Sequence, residues 1–142
     1  MDNIRYFFND STTMVDWSSE KDIIKSCKEF FSFDALASEL YTLRVAFNNE
    51  IGNGGYMGIY TIPNIQEVSE ILVGFRIKRK LFSKEVKEKF FDIHIYQYNH
   101  SIDNSNLFEY KTINFEEVEN IFRDFIENNK LPNLANWKRT QI

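Results

Sequence analysis

Few residues in this chain have the types and spacing that catalysis requires. It contains one cysteine, Cys27, and two histidines, His94 and His100. The histidines are six apart, on a predicted strand and in a polar loop, which matches neither an HExxH helix nor a zinc-ligand pattern. Cys27 shares an apolar helical face with Ile23 and Phe30, which favours a small buried hydrophobe over an activated thiolate. We therefore predict no catalytic residue, metal site or cofactor, and we expect no enzyme activity.

The Gly-rich turn Gly52-Asn53-Gly54-Gly55 invites comparison with a phosphate-binding loop. A Walker loop needs Lys followed by Ser or Thr, and a dinucleotide-binding loop leads into a helix. Here the glycines lead into residues 56–62, whose composition is typical of a strand. Because Gly and Asn tolerate positive φ angles, the segment predicts a turn between two strands.

An acidic helix near the C-terminus is the strongest charge feature. Apolar residues three and four apart predict an amphipathic helix that is capped by Asn114 and ends near Asn128. Its polar side carries five acidic residues against Arg123 alone. Paired carboxylates can act as acid and base, but those on a solvent face stay ionised. An ordinary solvated face and an acidic docking surface both remain open. The candidate binding residues are Glu116, Glu117, Glu119, Asp124, Glu127 and Trp137.

A basic stretch, Arg76–Lys89, forms the opposite feature. Alternation places Arg76, Lys78 and Lys80 on one strand face with Phe90 nearby, an arrangement that a single-stranded nucleic acid could use. The whole chain has 17 basic and 21 acidic residues, a net charge of −4. That balance argues against binding nucleic acid over a broad surface. Nucleic-acid binding is therefore kept as an alternative, and the role of this stretch stays open.

Hydrophobic periodicity predicts the elements that position these groups. Alternation predicts strands at 4–8, 41–47, 56–62, 73–77, 91–96 and 107–113. Helical spacing predicts a first helix over 19–31 and a short helix within 64–72, and 99–106 is a predicted polar loop. The strands at 41–47 and 56–62 would pair as a hairpin. The predicted class is α+β, an antiparallel sheet of about five to six strands with an N-terminal and a C-terminal helix packed on it.

Length and composition bound the rest. The 142 residues fit one domain, 1–142. The 14 Phe, 7 Tyr and 2 Trp predict an aromatic core, because disordered chains are poor in such residues. No apolar run approaches the ~20 residues that span a bilayer, and the N-terminal residues do not form a signal peptide. With a single cysteine, these features lead us to expect a soluble, cytoplasmic protein.

The C-terminal segment carries a family resemblance. A helix ending in Phe125-Ile126, a polar step, Pro132 and then Trp137 resembles the ending of bacterial immunity proteins of contact-dependent growth-inhibition and other polymorphic toxin systems. The Gly-rich turn with its following strand, and Trp17 ahead of the first helix, are similar to the same group. The likeness covers about half of the chain, and 64–89 has no counterpart in it.

This resemblance implies a cytoplasmic antidote. Such a protein binds a cognate toxin C-terminal domain, often a nuclease or deaminase, and blocks its active site or substrate path. An acidic surface suits that role, because it competes for the basic charge that meets nucleic acid and speeds association. No binding residue transfers by motif, so the six candidates rest on charge and exposure. The alternatives are a single-stranded nucleic-acid binder and another protein-interaction module, including a homodimer built on the aromatic surplus.

Overall fold

The computed structural model describes residues 3–10, 19–51, 57–65, 68–97 and 105–141. Seven strands and three α-helices lie within these ranges. In chain order they are β1 Arg5–Asn9, α1 Glu20–Ser26, β2 Lys28–Phe30, α2 Phe33–Asn48, β3 Met57–Ile62, β4 Val68–Arg79, β5 Val86–Gln97, β6 Asn106–Thr112, α3 Phe115–Asn128 and β7 Lys138–Gln141. The α+β class is confirmed, with seven strands in place of five to six. None of the described helices has the length and apolarity needed to cross a membrane.

The strands form one antiparallel sheet in the order β2-β1-β3-β4-β5-β6-β7. Its centre is the long β4–β5 hairpin, in which Arg79 pairs with Val86 at one end and Val68 with Gln97 at the other. The two edge strands are short: β2 has three residues, and β7 has four, all exposed. β4 and β5 are therefore paired with each other along nearly their whole length, while each edge strand exposes few backbone hydrogen-bonding groups.

Helices α2 and α3 cover one face of the sheet. Phe47 of α2 stacks on Phe91 of β5 with ring centroids 4.0 Å apart, and meets Phe75 of β4 edge-on at 5.8 Å. Burying aromatic and branched side chains removes apolar surface from water, the main stabilising force of such a core. The apolar side of α3 completes the core with Val118, Phe122, Phe125 and Ile126. This agrees with the predicted amphipathic helix.

Helix α1 covers part of the other face. Its Ile23 is buried against Phe7 and Tyr60. Glu70 of β4 is also buried, and burial raises the pKa of its carboxyl, although a hydrogen bond with Tyr60 acts in the opposite direction. Gly58 leaves space for this carboxyl, because a Cβ there would lie 3.3 Å from Glu70 Oε2 and 2.8 Å from Leu72 Cδ2.

Residues 41–47, predicted as a strand, belong instead to α2. This helix buries Leu36, Leu40, Leu43 and Phe47 at helical spacing, while Tyr41 and Val45 face solvent. Apolar side chains on two sides of a helix thus imitated the alternation of a strand. The predicted hairpin is therefore wrong, and β3 pairs with β1 and β4. The Gly-rich turn itself lies outside the described residues, as do Trp17 and His100.

Of the other predicted helices, one is shorter than expected and one is wrong. The first ends at Ser26, well short of residue 31, because Lys28–Phe30 joins the sheet and Arg5 holds Glu29 with two hydrogen bonds of 2.9 and 3.0 Å. Ser19 does cap α1 as expected, accepting from the Asp22 N–H at 3.2 Å. The helix proposed within 64–72 is strand from Val68 onwards, buried on both sides. Pairing with neighbouring strands overrides local helical spacing in both segments.

Candidate functional site

Helix α3 is fixed to the sheet at both ends. At its start, Asn114 Oδ1 accepts from the Glu116 N–H, and the Asn114 N–H donates to Thr112 Oγ1 of β6, each at 3.0 Å. At its end, Asn129 adopts a left-handed conformation with φ 52°. The Tyr6 hydroxyl of β1 donates to Asn129 Oδ1. Hydrogen bonds to β6 and β1 thus hold the two ends of α3 against the sheet.

The five acidic candidates spread around the outside of this helix. Glu116, Asp124 and Glu127 are exposed, whereas Glu117 and Glu119 are half-buried on its two flanks. Among the described residues, none of the five lies within 4 Å of a basic nitrogen. The structure therefore presents an acidic outer face with two different borders.

The border beside Glu117 is an aromatic groove, here called the Trp137 groove. Trp137 stacks on Tyr110 of β6, with ring centroids 5.1 Å apart and planes 19° apart. A hydrogen bond to the Glu117 carboxylate, then burial, raises the pKa of Tyr110. The groove has a volume of about 340 Å³ and is completed by Asn120, Ile121, Pro132, Asn133 and Asn136. The structure thus brings two predicted site residues, Glu117 and Trp137, into one concave surface.

The opposite border is a pocket between α2 and α3 of about 460 Å³. Glu116 and Glu119 line it together with Arg44. The Arg44 guanidinium lies over the Phe115 ring, 5.2 Å from its centroid, an arrangement stabilised by the ring quadrupole. This pocket is more polar than the Trp137 groove.

The basic stretch differs from α3 because the three cations predicted to share a strand face are each in an ion pair. The ion pairs are Arg76–Asp92 at 3.5 Å, Lys78–Glu88 at 3.8 Å and Lys80–Glu85 at 3.1 Å. Phe90 is buried beneath Lys78 and Lys111, whose Nζ atoms lie 5.7 and 4.8 Å from its centroid. A base could not stack on that ring without displacing both lysines.

Cys27, the candidate nucleophile, and His94, the candidate metal ligand, lie in different clusters. Cys27 is half-buried at the end of α1; burial, then Asp22 and Glu70, raises the pKa of its thiol to about 11, so the reactive thiolate is scarce. His94 Nε2 lies 3.1 Å from Asp92 Oδ1 and 3.8 Å from Glu109 Oε1. His94 is half-buried on β5, with 14% of its side chain exposed. Across the described ranges, no group of three or more His, Cys, Asp or Glu side chains is arranged to hold a metal ion.

Sequence reasoning missed one exposed feature, the tip of the β4–β5 hairpin. Leu81 and Phe82 are 83% and 100% exposed. The available signal was two adjacent large apolar residues between Lys80 and Lys84 in a segment otherwise typical of a turn. Ile113, at the same end of the sheet, is 77% exposed.

The chain was also compared with known proteins. No protein-family model matches it, and neither curated proteins nor solved structures gave a significant match.

Proposed function

We propose that this chain is an immunity protein that binds a cognate bacterial toxin domain in the cytoplasm and blocks its active site or substrate path. The toxin domain would act on nucleic acid. The observation that carries the proposal is the acidic outer face of α3, whose carboxylates have no ion-pair partner within the described structure. The resemblance of the C-terminal segment to immunity proteins supports the same function.

Unpaired carboxylates are suited to steering a basic partner. An exposed charge acts over about 8 Å at physiological ionic strength, and several charges of one sign on one face add their potentials. A toxin that acts on nucleic acid presents cations where the phosphates bind. The α3 face would accelerate encounter with that surface and then cover it.

The Trp137 groove supplies the apolar part of such an interface. Tryptophan and tyrosine dominate the residues that carry binding energy at protein interfaces. Because Trp137 is already stacked on Tyr110, little side-chain freedom would be lost on binding. Since both ends of α3 are tied to the sheet, the acidic and aromatic parts keep a fixed spacing.

The test begins with the genes next to that of this chain: the C-terminal domain of any large exported toxin encoded immediately upstream is co-expressed with it. A triple variant, Glu116→Gln, Glu119→Gln and Glu127→Gln, removes three charges with little change in shape, and Trp137→Ala removes the anchor. We expect each to raise the dissociation constant at least about tenfold, the usual scale for interface anchors, and to weaken protection of growth.

A matched control neutralises three acids on the other helices, through Glu20→Gln, Asp34→Asn and Glu39→Gln. This control should bind and protect like the wild type. If the wild-type chain neither binds the purified toxin domain nor rescues growth, the proposed function is wrong. If the control loses binding as much as the α3 variant, the acidic outer face of α3 is not the specific binding surface.

A further inference from the structure

The β4–β5 hairpin projects beyond the rest of the sheet. β6 ends at Thr112, which pairs with Phe91 of β5. The hairpin continues past this point to Val86, five residues further, or about 17 Å at the usual rise of a strand. Its tip, residues 80–85, is here called the hairpin tip.

The hairpin tip is held in a defined conformation. The Ser83 N–H donates to the Lys80 carbonyl at 3.1 Å, and the Lys80 N–H donates to the Glu85 carbonyl at 2.9 Å. Arg79 Nη1 donates to the Lys84 carbonyl at 2.7 Å, while its Nη2 donates to the Glu50 carbonyl at 3.1 Å. The tip is therefore braced against the chain that follows α2.

Phe82 is an unusual residue for this place. Its φ of 59° lies in the left-handed region, which aromatic side chains rarely adopt and which Gly or Asn would occupy with less strain. It is nevertheless a large apolar side chain, fully exposed. No described contact within the chain accounts for this residue, and its side chain extends into solvent.

The hairpin and the first turns of α3, which carry Glu116 and Glu119, lie at the same end of the molecule. α3 begins three residues after Thr112, and its Phe115 ring is 5.7 Å from that of Phe91 at the hairpin base. Ile113, which is exposed, lies between them. One partner that covers the first turns of α3 would therefore also meet the hairpin.

The two surfaces have opposite chemistry. The hairpin tip offers two apolar side chains and the cation Lys84, since Lys80 is paired with Glu85 at 3.1 Å, whereas α3 offers carboxylates. A matching partner needs an apolar cleft with carboxylates inside and cations around it. Enzymes that cleave nucleic acid supply the charged part of this arrangement, because carboxylates hold metal ions or transfer protons in the cleft while cations bind phosphates near it.

We propose that Leu81 and Phe82 enter the active cleft of the toxin domain, with Lys84 near its carboxylates, while the first turns of α3 contact the basic surround. This inference rests on the proposed function and adds the means of blocking. The hairpin tip would occlude the cleft directly, and the acidic helix would orient the complex.

The experiment compares Phe82→Asn with Phe31→Asn, using the purified toxin domain. Both substitutions remove an exposed phenylalanine, since Phe31 is 86% exposed beside the edge strand β2. Asn tolerates the left-handed conformation, so Phe82→Asn should fold normally and keep the melting temperature. We expect Phe82→Asn to weaken binding at least thirtyfold and to leave residual toxin activity, and Phe31→Asn to behave like the wild type.

The outcomes separate the two proposals. If the wild type neutralises the toxin and Phe82→Asn does so equally well, the hairpin inference is wrong and the proposed function stands. If both phenylalanine variants lose binding to the same extent, the inference is also wrong. If the wild type does not bind, the proposed function fails first. A photo-crosslinking analogue in place of Phe82 should label residues that line the toxin cleft, and labelling confined to other surfaces would overturn the inference.

Discussion

The outer face of α3 and the β4–β5 hairpin leave opposite features unsatisfied, and the start of α3 lies beside the base of the hairpin. On α3 the apolar side chains are buried and the charges have no ion-pair partner among the described residues. On the hairpin, three cations are paired and the apolar tip is bare. Free charge acts at a distance, whereas bare apolar surface acts only on contact. We therefore expect α3 to control the rate at which a partner associates, and the hairpin tip to control the rate at which it dissociates.

The largest effect is expected where the two regions join, at Phe91. This residue is buried against Phe47 of α2 and Phe115 of α3. Phe91→Ala should lower the free energy of unfolding by about 3–5 kcal/mol, because it removes a core ring and leaves a cavity. Denaturant unfolding measures this loss. Phe31→Ala, at an exposed site, should change stability by less than about 0.5 kcal/mol. A small loss for Phe91→Ala would mean that hairpin and helix are not joined through this ring.

A smaller effect separates the two regions kinetically. With the toxin domain as partner, the triple Gln variant of α3 should lower the association rate about tenfold at low salt, because steering depends on charge. Phe82→Asn should leave association nearly unchanged and raise the dissociation rate, since most interface contacts act on dissociation. Stopped-flow and surface-binding measurements at two salt concentrations would test this. If both variants slowed association equally, the expected difference between α3 and the hairpin tip would be disproved.

The smallest expected effect is on the pH dependence of stability, and it distinguishes the buried carboxyl of Glu70 from the exposed carboxylates of α3. Burial raises the pKa of Glu70 in the folded state, so the folded chain retains a proton that the unfolded chain releases. The stability that this proton confers is full below the ordinary pKa of Glu, and it is lost as pH rises through the folded pKa. Glu70→Gln should remove this pH dependence and raise stability at neutral pH. Thermal unfolding between pH 4 and 8 would measure it, with Glu127→Gln as an exposed control. Parallel slopes for Glu70→Gln and the wild type would refute the assignment.

Local pattern was sufficient for part of the fold. β3, β5, β6 and α3 were predicted, because each has one dominant periodicity and clear end signals. Helix α2 was not predicted. Its exposed Tyr41 and Val45 alternate in sequence with the buried Leu43 and Phe47, and this apolar pattern is typical of a strand. The short strand β2 depends on pairing with β1, which local spacing does not reveal.

The candidate site was predictable in chemistry but not in arrangement. The acidic composition of α3 is visible in sequence, yet the contact of Glu117 with Tyr110 and the stacking of Trp137 depend on how β6 and β7 pair. Pairing of Arg76 with Asp92 likewise depends on the β4–β5 register. The exposure of Phe82 could not be read from its hydrophobicity, which predicts burial.

The two short edge strands have a consequence for aggregation. An open edge offers free backbone hydrogen bonds to another strand, and proteins restrict this by shortening and charging the edge. β7 contains Lys138, Arg139, Thr140 and Gln141 and has no apolar side chain, while β2 is only three residues long. A second copy that paired with either edge would gain few hydrogen bonds, and on β7 no apolar contact. The sheet is thereby protected against edge-to-edge stacking into filaments, even though its hairpin tip presents exposed hydrophobic residues.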